Sequence, residues 1–464
     1  MMYTIKFGTD GWRAILAKDY TVENVRRVAA GTSRWLQSKK LKKVVIGYDC
    51  RFGGAMFQEE IASLLAQDGI ECLIGNQFVS TPMVSYGVVN HKADLGIVIT
   101  ASHNPPSYNG YKLKSAYGGP TIPKEIAALE ALIPAIAPLQ ETSYQELINL
   151  AKIRFVDLEA EYIQHIKNNF ELEKINSSSL IAYDAMYGAG QNAMTKLFPE
   201  IKFFHCEYNP GFNNTPPEPI AKNLIEICQF IKTNPGKYIG IATDGDADRL
   251  AMFDDHGNLI DSHHILLLLL HYLAGYKKYT GKVVVSFSVT NKLKNLADYY
   301  GLECIVTKIG FKYIAEYMIT EDVLVAGEES GGLAIKGHIP ERDGIWIALT
   351  ILQFMGETGK SINQLIEEIY NLVGSFSYDR LDLHLTEHQI ELVKIKLQSE
   401  IQTWGTYKTQ LSESLDGYKY YFENDAWLLI RTSGTEPVLR IYAQGNTADE
   451  VLEILNSART VLHV

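Results

Sequence analysis

The chain has 464 residues, of which 46% are hydrophobic and 21% are charged, a composition typical of a folded globular protein and not of a disordered or fibrous one. At roughly 150 residues per domain, this length predicts three or four domains. The 43 basic and 54 acidic side chains give a net charge of -11. This balance argues against a general nucleic-acid or anionic-membrane binder, although it allows a local basic pocket for a small anion.

The cysteines and the apolar runs argue against a disulfide-rich, secreted or membrane-spanning protein. The five cysteines are an odd number and their closest pairs lie 22 residues apart, which suggests neither a disulfide framework nor a zinc knuckle. A reducing cytoplasm fits this usage best, and the N-terminal segment lacks the apolar stretch of a signal peptide. The apolar run from Ile265 to Leu270 is far shorter than the roughly 20 residues of a bilayer span, so we expect a core helix there.

Strand-like and helical segments alternate along most of the chain. The predicted segments are, in chain order, strand 42–49, helix 57–69, strands 71–75 and 94–100, a linker at 136–146, helix 155–170, and strands 179–185, 237–243, 281–290, 303–309 and 322–328. Strands that alternate with helices of this length indicate α/β units with largely parallel sheets.

The last part of the chain has a different pattern, after a break near 373–380. Strands are predicted at 427–434 and 438–445, and Thr447 with Glu450 forms a capping-box pattern that opens a terminal helix. We therefore expect an α/β protein of three similar α/β/α domains with mixed sheets and a smaller C-terminal α+β domain. The expected domain bounds are 1–145, 146–256, 257–372 and 373–464.

The strongest chemical signal is a run of alternating aspartates, Asp244, Asp246 and Asp248, directly after the predicted strand 237–243. On extended backbone, alternate side chains point to one side, so three carboxylates would converge and favour a hard cation such as Mg²⁺. An EF-hand is excluded because Arg249 and Asp255 stand where that loop requires Gly and Glu. The simpler alternative is a solvated acidic turn.

A second polar loop, TASHNPP, follows the predicted strand 94–100. Ligands bind at the carboxyl ends of strands in α/β sheets. A Ser-His hydrolase is disfavoured, because Ser102 and His103 would point apart on extended backbone and no G-x-S-x-G elbow is present. A loop could return Lys112 to Ser102. Taken alone, the stretch fits a polar turn better than a nucleophile.

Two further loops also follow predicted strands. In GEESGG, residues 327–332, the two glutamates suit sugar hydroxyls better than phosphate, and nearby His338 and Arg342 could supply a donor and a positive charge. In RTSGTEP, residues 431–437, Arg431 stands beside three hydroxyls and a glycine, which form a compact nest for a small phosphate monoester. An ordinary turn is the alternative for each loop.

Taken together, these motifs resemble the α-D-phosphohexomutase superfamily, which includes phosphoglucomutases, phosphomannomutases and phosphoglucosamine mutases. FGTDGWR near the start, TASHNP, DGDADR, GEESGG and RTSGTEP occur in this order in four separate segments. The resemblance implies four domains around one central cleft. It also implies a Mg²⁺-dependent mutase that interconverts hexose 1-phosphate and hexose 6-phosphate, glucose first and mannose second, through a phosphoserine and a hexose 1,6-bisphosphate that also acts as activator.

The resemblance assigns roles to individual residues. The expected catalytic residues are Ser102, Arg13, Lys112 and His103. The expected metal ligands are the phosphorylated Ser102 with Asp244, Asp246 and Asp248. The expected substrate-binding residues are Arg249, Thr307, Gly310, Glu328, Ser330, His338, Arg342, Arg431, Ser433, Gly434 and Thr435. Among these, RTSGTEP would bind the distal phosphate that is not being transferred.

The chain also departs from some relatives. Gly332 and Phe311 stand where some family members have histidine, which leaves the proton-transfer partner open among Lys112, His338 and Arg13. A phosphoglucosamine mutase is the nearest alternative, although those enzymes favour GEQSGH. A catalytically silent phosphosugar-binding regulatory protein and a metal-dependent phosphatase are alternatives from other classes. The expected partners are small hexose phosphates, with no nucleic acid and no membrane, and the expected state is a cytoplasmic monomer or homodimer.

Overall fold

The computed structural model describes residues 3–8, 10–178, 180–432 and 438–464. Along this described part of the chain, four β-sheets of four to six strands follow one another, and helices pack against each of them. One hydrophobic core contains residues of the first three sheets, such as Val45, Ile241 and Val283, whereas the last sheet has a core of its own.

The first domain has a mixed sheet. Its elements are β1 (Trp12–Ile15), α1 (Val22–Ser38), β2 (Lys43–Tyr48), α2 (Gly54–Gln67), β3 (Glu71–Gly75), α3 (Thr81–Asn90), β4 (Leu95–Ile99), β5 (Tyr108–Ser115), α4 (Pro123–Glu130), α5 (Tyr144–Asn149) and β6 (Ile153–Val156). The strand order is β1-β5-β4-β2-β3-β6, with β5 antiparallel to both neighbours. Because β6 pairs with β3, this sheet extends past residue 145, the expected domain end, and α5 begins inside the expected linker.

The second domain repeats this arrangement. Its elements are α6 (Leu158–Asn169), α7 (Leu172–Ser178), β7 (Leu180–Asp184), α8 (Gln191–Leu197), β8 (Lys202–Phe204), α9 (Ile225–Lys232), β9 (Tyr238–Thr243), β10 (Leu250–Phe253) and β11 (Leu259–Ile260). The strand order is β11-β10-β9-β7-β8, and β10 is antiparallel to both neighbours. The helix predicted at 155–170 therefore begins only at Leu158, after the last strand of the first sheet.

The third domain contains the leucine run. Its elements are α10 (Ser262–Leu270), β12 (Lys282–Ser286), α11 (Asn291–Tyr299), β13 (Cys304–Thr307), α12 (Phe311–Thr320), β14 (Val323–Gly327), β15 (Leu333–Ile335), α13 (Gly344–Thr358) and α14 (Ile362–Val373). The strand order is β13-β12-β14-β15, with only the last pair antiparallel. Residues 265–270 are buried in α10, as expected for a core helix. Within the described residues, no helix combines the length and apolar character needed to span a bilayer.

The fourth domain is smaller. Its elements are β16 (Ser377–His384), α15 (Glu387–Leu397), β17 (Thr403–Trp404), β18 (Tyr407–Lys408), β19 (Leu411–Glu413), β20 (Tyr418–Tyr421), β21 (Trp427–Thr432), β22 (Val438–Gly445) and α16 (Ala448–Leu462). Its main sheet, β16-β22-β21-β20-β19, is antiparallel throughout. The Thr447 side chain caps α16, but Glu450 accepts a hydrogen bond from Asn446 N, so the predicted capping box is incomplete. The predicted fold class is confirmed.

Three motif loops occupy the same place in the first three domains. In each domain a strand of the parallel part is followed by a loop and then by an antiparallel neighbour, as in β4 and β5, β9 and β10, and β14 and β15. The three loops contain TASHNP, DGDADR and the end of GEESGG. The repeated topology therefore presents three different chemical groups from equivalent positions.

Candidate active site

Ser102 contacts the acidic loop of the second domain directly. Its hydroxyl donates a 2.7 Å hydrogen bond to Asp244 Oδ2, and its Oγ lies 3.2 Å from His103 Nδ1. Ser102 has a φ of +52°, in the left-handed region that non-glycine residues rarely adopt. The expectation that Ser102 and His103 point apart is therefore wrong, because the backbone between them is not extended.

Arg51 holds the loop that contains Ser102. Its guanidinium donates hydrogen bonds of 2.6–3.0 Å to four carbonyl oxygens, those of Ser102, Asn104, Pro105 and Tyr108. Arg51 is 1% exposed and lies beside Asp49, whose Oδ2 accepts a hydrogen bond from Thr100. Thr100 in turn accepts a hydrogen bond from Ser102 N. This buried network keeps the unusual backbone of Ser102 in place.

The three aspartates converge as the sequence predicts, but through a different local structure. Their carboxylate oxygens lie within 4.8 Å of one another, and all three residues are fully buried. β9 ends at Thr243, and the aspartates lie in a tight turn in which Ala247 has a φ of +55° and donates a backbone hydrogen bond to Asp244 O. The carboxylates therefore meet because the chain turns, and not because they alternate along a strand.

Lys112 neutralises part of this acidic group. It lies within β5, and its Nζ is 2.7 Å from Asp246, 2.9 Å from Asp248 and 2.8 Å from Asp10. Burial favours the neutral amine, but the three carboxylates outweigh burial and raise the pKa of Lys112 above its usual value. Lys112 lies in β5, which runs back along β4 after the loop that contains Ser102, and it binds the acidic group.

The remaining oxygen atoms of the triad suit a cation. Burial and repulsion by Asp246 and Asp248 raise the pKa of Asp244 well above its usual range. Burial acts in the same direction on Asp246, but the attraction of Lys112 outweighs it and lowers that pKa. Within the described residues, the buried Oδ1 atoms of Asp246 and Asp248 have no hydrogen-bond partner. Buried, unpaired carboxylate oxygens are costly, and a hard divalent cation is the ligand that they fit.

Arg13 and Arg249 act on the loop that contains Ser102. Arg13 donates a 2.6 Å hydrogen bond to the Asn104 side chain, and Arg249 N donates to Asp244 Oδ1 at 3.0 Å. Burial, followed by the charges of Arg249 and Arg13, holds the pKa of His103 well below its usual value. The imidazole is therefore neutral at neutral pH, and the surroundings of Ser102 favour an anion.

Asp10, Lys114 and Glu341 also belong to the charged cluster, although sequence reasoning did not single them out. Arg342 Nη2 donates to Asp10 at 2.5 Å and to Asp248 at 2.6 Å, and Lys114 donates to Glu341 at 2.5 Å. Asp10 lies within the FGTDGWR motif, so the motif was a usable signal for it. Lys114 follows Lys112 by two positions in β5, which places both on one face.

The third-domain loop brings a carboxyl group to the same cluster. Burial and repulsion by Glu329 raise the pKa of Glu328 to about 7, while Arg342 and Arg249 act in the opposite direction. Glu328 Oε1 accepts a 2.8 Å hydrogen bond from Gly310 N, where φ is +130°.

Two other expected substrate-binding residues, Thr307 and Ser330, also belong to the third domain. The Thr307 hydroxyl at the end of β13 donates to the Lys308 carbonyl at 3.0 Å, and Ser330 is half-buried after Glu329. The Glu329 carboxylate accepts a hydrogen bond from Ser288, so it is held by its own domain.

His338 does not have the place expected for a sugar donor. Its ring is 1% exposed and stacks on Trp346 at 3.8 Å. Its Nε2 lies 2.9 Å from Asp343 Oδ2 and its Nδ1 lies 3.3 Å from His165 Nε2, so both ring nitrogens have partners. His338 is thus a packed residue in the segment between β15 and α13, with both ring nitrogens engaged by neighbouring side chains.

The two positions that carry histidine in some relatives both pack against Arg342. The Arg342 guanidinium lies 5.3 Å from the centre of the Phe311 ring. A side-chain carbon at Gly332 would collide with the Arg342 side chain. In this chain the Arg342 side chain therefore adjoins both positions at which some relatives have histidine.

The fourth motif is described only in part. Arg431 lies in β21, and its Nε donates a 3.2 Å hydrogen bond to Asp416 Oδ1. The expected phosphate contacts Ser433, Gly434 and Thr435 lie outside the described residues.

Family models match most of the chain. Domains I, II and III of the phosphoglucomutase/phosphomannomutase α/β/α models match residues 4–139, 160–257 and 261–373, and the C-terminal domain model matches residues 392–460. All five sequence motifs lie within these ranges.

Individual proteins match over nearly their full length. The phosphoglucomutase/phosphomannomutase of Thermococcus kodakarensis is 28% identical, with 97% of this chain and 96% of the relative covered. The phosphoglucosamine mutase of Methanococcus vannielii is also 28% identical, with 98% of each covered. The crystal structure of a Thermus thermophilus protein assigned as a phosphomannomutase superposes over the full length of both chains with a TM-score of 0.87 and 31% identity.

Proposed function

The chain belongs to the phosphoglucomutase/phosphomannomutase family, and we propose that it interconverts hexose 1-phosphate and hexose 6-phosphate, with glucose as the first and mannose as the second expected sugar. As a member of this family it is an enzyme that transfers a phosphoryl group between positions of a sugar phosphate. A phosphoglucosamine mutase is the second candidate, because a relative of that name matches as fully as one named phosphoglucomutase/phosphomannomutase.

The contact between Ser102 and Asp244 carries the proposal. It places a hydroxyl against a buried acidic triad, next to a histidine on which several cationic side chains act. Phosphoryl transfer depends mainly on positioning and on neutralisation of charge, and this site offers both. A simple polar turn would need neither the buried aspartates nor the buried arginine that holds the loop.

In the proposed reaction, Ser102 carries the phosphoryl group. The free hydroxyl of a hexose monophosphate takes this group from Ser102, and a hexose 1,6-bisphosphate results. The other phosphoryl group of the bisphosphate then returns to Ser102, so the bisphosphate is both intermediate and activator. The basic side chains of Arg13 and Arg249, which act on the neighbouring His103, would stabilise the negative charge of the transferring group.

The triad fits a metal ion, and we propose Mg²⁺. Asp244, Asp246 and Asp248 would hold it together with the phosphorylated Ser102, and the ion would supply additional neutralisation of the phosphoryl charge. Lys112 favours the ionised form of Asp246, and its ammonium group orients the carboxylates of Asp246 and Asp248. Because the single proton of the Ser102 hydroxyl goes to Asp244, the neutral His103 would donate its Nδ1–H to Ser102 Oγ.

The substrate would be held at two ends. At the reacting end, Glu328 would accept hydrogen bonds from sugar hydroxyls and Ser330 would donate one to them. Arg342 lies close to Glu328. At the other end, Arg431 with Ser433, Gly434 and Thr435 would bind the phosphate that is not transferred. Two separate anion sites suit a bisphosphate better than the product of a simple hydrolysis.

We also propose a cytoplasmic location, on the basis of five cysteines that form no disulfide with one another. The expected partners are small hexose phosphates. The monomer or homodimer expected from the sequence stays a prediction.

The test is a phosphorus magnetic resonance assay with glucose, mannose or glucosamine 1-phosphate, a trace of the matching bisphosphate, and Mg²⁺. We expect 6-phosphate from the glucose compound at the highest rate. Faster conversion of the glucosamine compound would favour the second candidate. Release of inorganic phosphate alone would identify a phosphatase, and binding without conversion would identify a regulatory protein.

A further inference from the structure

Asp416 lies between a strand and a loop that belong to different domains. Its Oδ1 accepts the 3.2 Å hydrogen bond from Arg431 Nε, and its Oδ2 accepts a 2.9 Å hydrogen bond from Ile309 N. Arg431 belongs to β21 of the fourth domain, whereas Ile309 belongs to the loop between β13 and α12 of the third. One carboxylate therefore joins the phosphate motif to the third-domain sheet.

The hydrogen bonds continue from Ile309 to Glu328, in the GEESGG loop of the third domain. The next backbone N–H group, that of Gly310, donates a 2.8 Å hydrogen bond to Glu328 Oε1. Two carboxylates, Asp416 from one domain and Glu328 from the other, thus hold two successive N–H groups of the same loop. A continuous series of hydrogen bonds runs from Arg431 to Glu328.

The turn that presents Asp416 requires close approach to β21. Gly417 has a φ of +91°, and a side-chain carbon there would lie 2.5 Å from the Ile430 carbonyl oxygen and 3.1 Å from Arg431 Cβ. A residue other than glycine would push Asp416 away from Arg431. On the other side, Ile309 packs against a small cluster that contains Phe287 and Trp427, so the contact between the domains does not depend on Asp416 alone.

We propose that Asp416 is a positioning residue that couples the distal-phosphate contact, Arg431, to the sugar contact, Glu328. This inference rests on the proposed function, in which the two residues hold opposite ends of one hexose phosphate. Asp416 uses Nε of Arg431 and not its Nη nitrogens, so it orients the plane of the guanidinium without occupying the Nη donors. The guanidinium of Arg431 and the loop that contains Glu328 are then fixed relative to each other before the substrate binds.

This arrangement predicts an effect on binding and not on the chemical step. Without Asp416, Arg431 and residues 309–310 would have to become ordered when the substrate binds, which weakens binding. Phosphoryl transfer takes place at Ser102, and the side-chain contacts of Asp416 in the described residues are with Arg431 and Ile309. A contact made equally in the ground state and the transition state changes KM and leaves kcat unchanged.

The test compares Asp416→Ala with Asp425→Ala. Asp425 also joins the third and fourth domains, through a 2.9 Å ion pair with Lys292, but has no contact with Arg431 in the described residues. Asp416→Ala should raise KM for the hexose phosphate roughly tenfold, as expected for one charged hydrogen bond, with kcat within about twofold of the wild type. Asp425→Ala should change neither value by more than about twofold.

A double-mutant cycle tests the coupling itself. Since Asp416 acts partly through Arg431, Asp416→Ala should weaken glucose 6-phosphate binding clearly less in an Arg431→Ala background than in the wild type, because only its contact with Ile309 then remains. Equal effects of Asp416→Ala and Asp425→Ala, an additive effect with Arg431→Ala, or a fall in kcat at constant KM would overturn the proposal. Titration calorimetry with glucose 6-phosphate gives the dissociation constants even if no turnover occurs. Binding without turnover would contradict the proposed function alone, and the dissociation constants would still decide the role of Asp416.

Discussion

The side chain of Arg342 occupies the space in which a side chain at Gly332 would lie. A carbon atom added to Gly332 would come closer to Arg342 Cδ than van der Waals contact allows. Arg342 cannot move away freely, because its guanidinium binds Asp10 and Asp248 and lies over the ring of Phe311. A glycine at this position is thus a condition for an arginine in the charged cluster.

Gly332→Ala should therefore reduce both stability and activity. Displacement of Arg342 would weaken two buried ion pairs, and we expect a loss of about 1–3 kcal/mol in the free energy of unfolding. Urea denaturation measures this loss. Gly211→Ala is the control, since a side chain there meets only the end of the Asn209 side chain at 3.3 Å. An equal effect of the two substitutions would show that Gly332 has no special relation to Arg342.

Arg51→Lys should impair catalysis more than binding. An ammonium group has three donors on a flexible stem and cannot reproduce the planar contact with four carbonyl oxygens. The resulting displacement of Ser102 should lower kcat on the order of ten- to a hundredfold, with a smaller change in KM. Steady-state kinetics test this, with Arg154→Lys at an exposed ion pair as the control. Wild-type kcat in Arg51→Lys would show that the loop does not depend on this guanidinium.

Asp246→Asn should weaken Mg²⁺ binding. The substitution removes one full charge from the triad and converts an unpaired carboxylate oxygen into part of an amide. We expect the affinity for Mg²⁺ to fall roughly tenfold or more, and activity to fall with it. Titration calorimetry with Mg²⁺ measures the affinity. Asp254→Asn, a buried aspartate of the same domain that accepts hydrogen bonds from His256 N and Asn258 N, should bind Mg²⁺ normally. Activity after exhaustive chelation would contradict a metal site at the triad.

The stability of the fourth domain should depend on pH through Lys419. This side chain is 2% exposed, lies over the Trp427 ring at 4.0 Å and donates to the Phe287 carbonyl at 3.0 Å. Burial lowers the pKa of Lys419 to about 7, below its usual value of 10.5. Between these two values the unfolded chain binds more protons than the folded one, so the free energy of unfolding rises with pH.

The rise should amount to about 2–3 kcal/mol between pH 7 and pH 9 at about 1.4 kcal/mol per unit. Comparison with Lys419→Met isolates this contribution, because the variant lacks the titrating amine and keeps the apolar stem. Urea denaturation of both proteins across this pH range provides the values. Parallel pH profiles of wild type and variant would show that Lys419 stays charged in the folded protein.

The sequence predicts which loops contain the functional residues. It predicts less well which contacts their side chains make. The family resemblance implied one site for Asp244 and Ser102, each in a loop that follows a buried strand, and the structure brings them to 2.7 Å. The positive φ of Ser102 and the turn at Ala247 carry no comparable signal, since neither residue is a glycine.

Other features of the site depend on partners far away in the chain. His338 has the chemistry of a proton donor, but Trp346 and Asp343 bury it, and the pattern of residues does not reveal that packing. Lys112 lies within β5, and the pairing of β5 with β4 fixes its position. Its partners Asp246 and Asp248 come from the next domain. Asp416 is a single aspartate in a turn, and only the docking of two domains shows what it contacts.

The phosphorylation state of Ser102 tests the central claim most directly. The protein is incubated with glucose 1,6-bisphosphate and Mg²⁺, and intact mass with peptide mapping is followed before and after the addition of glucose 1-phosphate or glucose 6-phosphate. We predict one phosphoryl group on Ser102 that is transferred to the added monophosphate, and no phosphorylation or turnover in Ser102→Ala. Absence of phosphorylation at Ser102 in a wild-type protein that converts hexose phosphates, or turnover by Ser102→Ala, would contradict this account.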